Sequence, residues 1–189
     1  MNTPAHLLIG AAVFARPPQG PVLWAALLGA LLPDLSLYVM AGVSLFVLGI
    51  PEQVVFGQLY FSPAWQTVFA IDNSFILWGL AFLLAVWRGW HVLAVGAAAG
   101  LLHLATDFLL HAGDGRPQFW PISDWVFQSP VSYWDSDHHA LWVAPVSAFV
   151  CLAAYVLLWQ RGLPVWGKAL FATMLAAELW VVRQWLLFF

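Results

Sequence analysis

Charge is what this chain has least of. Asp, Glu, Lys and Arg make up 8% of its 189 residues, where soluble domains carry about 25%. With 63% hydrophobic residues and a mean hydropathy of +0.85, that shortage rules out an ordinary soluble domain. Such a domain has no way to hide so much apolar surface, so the solvent must be lipid. A net charge of −3, thinly scattered, argues against a nucleic-acid partner. Cysteine is nearly absent: Cys151 stands alone in an apolar run, which excludes an intramolecular disulfide framework. Met1-Asn2-Thr3-Pro4 carries no basic side chain and leads to no cleavage site, so a cleaved signal is not expected. Internal repeats and low-complexity tracts are missing as well.

What the chain has in quantity is apolar runs and aromatics, including 13 Trp and 14 Phe. Pro4 to Ala15 starts with Thr3 as a cap and Pro4 at the first helical position. Pro21 to Leu32 forms a second short run that stops at Pro33-Asp34. Each falls short of the roughly 20 residues of a full span, which suggests a tight hairpin or a re-entrant pair. Leu35 to Ile50 is apolar, and Pro51 to Ile71 is mixed enough to lie in the interface. Asp72-Asn73-Ser74 precedes a span from Phe75 to Trp87, and Val92 to Leu110, Val143 to Leu158 and Val165 to Leu187 follow. The small-residue run from Gly96 to Gly100 would let a neighbouring helix come close. The expected fold is an all-α, polytopic membrane bundle of about six spans, a single domain over 1–189. A polar, aromatic-rich loop occupies 112–141.

With six passes, Arg16, Arg88, Arg161 and Lys168 fall in turns on one side, and Arg116 and Arg183 on the other. The positive-inside rule puts the first group in the cytoplasm. Both termini and the 112–141 loop then face outward, to the periplasm if the membrane is a bacterial inner membrane. Tyr and Trp in that loop favour the headgroup zone. The loop is therefore either an interfacial anchor or a lid over polar groups beneath it.

His103, Asp107 and His111 recur at four-residue steps, so they share one helix face. Ionisable groups in a span are costly to bury, which makes function the default reading. His103 and His111 lie about 12 Å apart along the axis, too far for one metal to take both. The choice is His103 with Asp107, Asp107 with His111, or two ions near Asp107. His6, Asp34, Asp72, Asp135, Asp137, His138 and His139 would reach the same outer face as helpers. His and Asp ligands without Cys suit Zn or Mn, and the chemistry would be water attack on an ester or phosphoester. Blander readings exist for several residues. His91 reads as a packing residue, Asp114 and Asp124 as turn or capping groups, and Glu178 as a structural partner. The stripe itself could be a polar network between helices.

The chain resembles the predicted membrane-bound metal-dependent hydrolases, the YdjM-like proteins. The matching residues are Pro4-Ala5-His6, Gly29-Ala30-Leu31-Leu32-Pro33-Asp34, His103 with Asp107, and Phe119-Trp120-Pro121, covering roughly residues 3 to 125. The family often has a second acid where this chain has Ser36, and a Thr-His-Ser where it has Asp72-Asn73-Ser74. The resemblance implies a hydrolase without naming its substrate. The expected metal ligands are His6, Asp34, His103 and Asp107, with His111 and His138 as further candidates. Asp107, Asp34 and Asp72 are the expected acid/base groups. The substrate would be amphiphilic, a lipid or lipid-linked ester or phosphoester, with membrane lipids as the surroundings. The other class of reading is a non-catalytic accessory subunit or small transporter whose His/Asp stripe holds helices or relays ions. A further alternative is haem ligation by His103 or His111.

Overall fold

A computed structural model describes residues 1–16 and 20–188, with side chains as far as 184. The described residues are all-helical, with no strand. Helix α1 covers Thr3–Phe14 and α2 covers Gly20–Gly42, continued by a π-helical turn over Val43–Val47. A short turn α3 (Glu52–Val54) leads through a second π turn to α4 (Pro63–Asp72) and α5 (Phe75–Trp87). Then come α6 (His91–Leu110), α7 (Ala140–Gln160) and α8 (Val165–Phe188).

Among the described residues, five helical stretches are long and apolar enough to cross a membrane: Gly20–Val47, Pro63–Trp87, His91–Leu110, Ala140–Gln160 and Val165–Gln184. At about 1.5 Å per residue each spans the roughly 30 Å of a hydrocarbon core. Leu83, Trp87, Trp142 and Phe149 stand exposed along them, as side chains do when lipid is the solvent. The protein is a multi-pass membrane protein.

Helix α1, at 12 residues, makes only about half a crossing. It is the buried centre of the bundle, touching α2, α6, α7 and α8. Ala5, Leu8 and Ala11 are fully enclosed, packed with Leu23, Leu27, Cys151, Leu158 and Phe171. A helix ending inside a bundle leaves carbonyls to satisfy. Arg161 supplies the donors, its guanidinium reaching Ala12 O at 2.5 Å and Ala15 O at 2.9 Å. The N-cap position is Asn2 rather than Thr3, and Thr3 is the first helical residue. Its hydroxyl is turned instead to Asp34 (2.5 Å) and Tyr38 (2.7 Å).

Two expectations about the first half are corrected. Pro33-Asp34 does not end a short run, because α2 continues through Pro33 for a further nine residues to Gly42. Proline inside a membrane helix is tolerated when neighbours serve the disturbed backbone. Around this proline, Asn73 Nδ2 donates to Pro33 O at 3.3 Å and His103 lies 2.7 Å from Ala30 O, so neighbouring segments hold this turn of α2. The interfacial segment is also shorter than expected. Pro63–Asp72 is helical, capped by Ser62, and runs almost end to end into α5 with only an Asn73-Ser74 break.

The close approach of α2 and α6 is set by glycine. A Cβ on Gly29 would overlap the Gly96 backbone, and one on Gly100 would overlap the Trp78 ring. The small-residue run of α6 thus does what its composition suggests. The segment between α6 and α7 folds down onto the end of the bundle. Ser129 Oγ donates to Leu109 O (2.6 Å), while the Ser129 and Tyr133 N–H groups serve the His111 and Leu110 carbonyls. Phe108, Phe119, Trp125 and Phe127 form an aromatic cluster beneath it, with Phe108 and Phe127 stacked at 4.5 Å.

Candidate functional site

The α2–α6 contact brings the carbonyl of Ala30, one residue after Gly29, against His103 on α6. His103 is 1% exposed, and its Nδ1 lies 2.7 Å from Ala30 O. A carbonyl only accepts, so Nδ1 carries the proton. Nε2 is then the nitrogen left over, and it is buried without a hydrogen-bond partner. It sits 3.2 Å from Asp107 Oδ2 and 3.6 Å from Asp34 Oδ1. A lone pair facing two carboxylate oxygens is repulsive unless a cation or proton joins them.

His6, one turn into α1, stacks on His103 with ring centroids 3.6 Å apart and planes 15° from parallel. Its Nδ1 is 3.2 Å from Thr106 Oγ1, whose proton is drawn to the Leu102 and His103 carbonyls. Its Nε2 lies 2.9 Å from Asp107 Oδ1 and 3.1 Å from Met1 O. Again a ring nitrogen meets two acceptors. The Met1 amino group also lies against Asp107.

Ligand atoms of His6, His103 and Asp107 all fall within 4.8 Å of one another, and all three residues are buried. Bonds of about 2.0–2.2 Å place two donors of one ion at most about 4.4 Å apart, so the three groups lie near metal-binding distance. The donor chemistry fits a divalent metal: two imidazoles, one carboxylate, and a backbone carbonyl fixing one tautomer. Of the alternatives raised by the helix spacing, Asp107 lies close to both His103 (3.2 Å) and His111 (3.4 Å), and His6 joins the His103 pair.

The remaining candidates separate. Asp34 reaches the edge of the cluster and is held by Thr3. His111 closes α6, with Nε2 3.4 Å from Asp107 Oδ2 and Nδ1 2.9 Å from Asp114 Oδ2. Burial pushes its basicity down, but the Asp107 and Asp114 carboxylates outweigh that and lift its pKa to about 9. His111 thus sits between two carboxylates beside the cluster, outside the His6–His103–Asp107 group. Tyr133, 5.2 Å from the His111 ring, is pushed up by burial and then by Asp107, so it stays a phenol.

Asp72 and His138 are not brought to the cluster. Asp72 is absent from the cavity wall, and its backbone carbonyl accepts from Trp78 Nε1 at 2.7 Å. His138 pairs with Asp135 at 2.8 Å on the loop, and holds that carboxyl below its usual range. His139 caps α7 at a φ of 68°. Asn73, where the related pattern has histidine, donates to the Phe69 and Pro33 carbonyls and ties α4 to α2.

Asp107 opens onto a cavity of about 280 Å³ whose wall includes Asp34, His111, Asp114, Arg116 and Glu178. His6 and His103 lie behind that wall. Residues of the 112–141 loop line the cavity, so the loop roofs the polar groups. Sequence reasoning passed over four contributors: Thr106, Arg116, the Ala30 carbonyl and the pairing of Glu178 with Asn2 at 3.2 Å. Helical spacing carries no signal for a loop arginine or a backbone oxygen. Thr106 and Asn2 differ in no local way from other polar residues.

The chain matches no family model, no curated protein and no solved structure.

Proposed function

We propose that the protein is a membrane-embedded, metal-dependent hydrolase that cleaves an amphiphilic ester or phosphoester at the outer face of a bacterial inner membrane. In this reading it belongs with the YdjM-like hydrolases that its motifs resemble. One observation carries it: His103 Nε2 is buried with no hydrogen-bond partner, beside Asp107 and Asp34 and stacked on His6. Leaving such a group unsatisfied costs about 1–3 kcal/mol, a cost that a Zn or Mn ion held by His6, His103 and Asp107 removes.

Such an ion, when bound, supplies Lewis acidity, polarising the bond to be broken and making water a better nucleophile. The chain's own residues do the rest. Asp34, at the cavity edge, is the acceptor for a proton from the attacking water. His111, a cation next to Asp107, is a donor for the leaving oxygen. The roofing loop limits water, and its exposed Ile122 and Trp125 suit the headgroup layer from which a lipid would enter.

The test is metal content by mass spectrometry on detergent-purified protein, for wild type beside His103→Ala and Asp107→Ala. The expected result is stoichiometric metal in the wild type and none in either variant. Metal-loaded wild type in nanodiscs is then expected to release hydrolysis products from lipid phosphoesters, detected by mass spectrometry. A well-folded wild type that takes up neither Zn nor Mn would overturn the proposal.

A further inference from the structure

We propose that Arg116 is the anion-binding residue of the cavity and that the group it holds is a phosphate. This rests on the reading of the cavity as the substrate site, and it specifies the substrate more narrowly than an ester.

Arg116 lies in the loop that roofs the cavity. Its guanidinium carbon is 4.4 Å from the Phe69 ring centroid and 5.0 Å from that of Tyr60. One terminal nitrogen donates to Tyr60 OH at 2.5 Å and the other to Gln66 Oε1 at 3.4 Å. Both acceptors are neutral, and among the described residues no carboxylate pairs with this guanidinium. A guanidinium has five N–H donors, so its charge and most of its donors are left for something else.

The carboxylates of the same cavity are committed elsewhere. Asp34 accepts from Thr3, Asp107 lies among the histidines, Asp114 takes His111 and Trp134 Nε1 on Oδ2 while its Oδ1 has no partner, and Glu178 takes Asn2. The cavity therefore holds an aromatic-cradled cation that, among the described residues, has no carboxylate within ion-pair distance, in a lining shared with Asp107. The aromatic contacts fix the guanidinium in place, and restricted water strengthens its hold on an anion.

Phosphate suits the position better than carboxylate. A guanidinium fork takes two oxygens of either anion side by side. A carboxylate is then used up, whereas a tetrahedral phosphate still presents oxygens to other groups of the lining, among which His111 is a donor. The lipid or lipid-linked substrate is thus one whose phosphate is held by Arg116 in the cavity onto which Asp107 opens.

The experiment is titration calorimetry on the full chain in detergent, stripped of metal with EDTA. The probes are dihexanoyl phosphatidate, dihexanoylglycerol, inorganic phosphate and hexanoate. Variants are Arg116→Ala and Arg116→Gln, the second keeping a donor to Tyr60 should the first fail to fold. Thermal melting and metal content are measured on the same samples. Phosphatidate is expected to bind wild type at least tenfold more tightly than either folded variant, with dihexanoylglycerol unaffected by the substitutions. Inorganic phosphate with the same Arg116 dependence and equal affinity would support the subsite with free phosphate as its source. A preference for phosphatidate would support a lipid source. Unchanged phosphatidate and phosphate affinity in the folded variants would overturn the assignment, as would hexanoate binding as tightly as phosphate. A wild type that binds phosphate through Arg116 yet takes up no metal would sink the hydrolase reading and leave this one standing.

Discussion

At the scale of single residues, the site depends on which nitrogen of each imidazole is left free. Ala30 O fixes His103, and Thr106 performs the matching task for His6, its oxygen 3.2 Å from Nδ1. Outer partners of this kind typically set metal affinity by about 10–100-fold. Thr106→Val keeps the shape and removes the oxygen, so metal affinity is expected to fall by at least about tenfold, with Thr106→Ser retaining most of it. Competition with a chelating dye reads both variants, and equal affinity in wild type and Thr106→Val would refute this role. His103 and Asp107 were legible in the sequence because helical spacing and burial cost single out ionisable groups in an apolar stretch. Asp34 was legible from its Pro-Asp motif and His6 from its place near the start of a helix. Asp72 and His138 looked equally eligible, because a residue's type and sidedness do not reveal whether its carboxyl or ring turns inward. Arg116 was read only for its sidedness, and its aromatic cradle is assembled from Tyr60 and Phe69, about 50 residues away.

Between elements, the decisive contact is α2 against α6. Gly29 permits it, and the next residue's carbonyl orients His103, so packing and chemistry share two adjacent positions. Gly29→Val would push the Gly96 backbone away and withdraw Ala30 O from His103. Overpacking of this kind costs roughly 1–3 kcal/mol, so a lower melting temperature and loss of bound metal are expected together. Gly79→Ala, where nothing lies within 4 Å of a new Cβ, is the control. Its effect should stay within about 0.5 kcal/mol, with metal retained. Metal binding that survives Gly29→Val at wild-type affinity would separate the helix contact from the site. The small-residue run on α6 announced this contact, but its partner was obscured by Pro33. In water a mid-helix proline breaks the pattern. In a bundle, packing carries the helix through it, with Asn73 tied to the Pro33 carbonyl, and local sequence gives no sign of that contact.

Across the whole molecule, polarity is one-sided. His6, Asn73, His103, Asp107 and Glu178 are buried near the start of α1, the α4–α5 break and the end of α6, and these features meet at one end of the bundle. The opposite end carries Arg88 and Arg161, the latter closing α1. A pathway for ions needs buried polar groups along its length, whereas a single-ended polar cavity suits a site that receives its ligand from one face. Which face is open to experiment through Cys151, which is buried and is the chain's sole cysteine. In a Cys151→Ala background, Asp124→Cys marks the roofing loop and Arg88→Cys the far turn, both exposed positions. A membrane-impermeant maleimide applied to intact spheroplasts is expected to label the variant at 124 and to reach the variant at 88 only after lysis. The reverse pattern would turn the cavity toward the cytoplasm. The His/Asp cluster and Arg116 would keep their geometry, but the substrate would then have to come from the inner leaflet or from soluble phosphoesters, and the choice of lipids to screen would change with it.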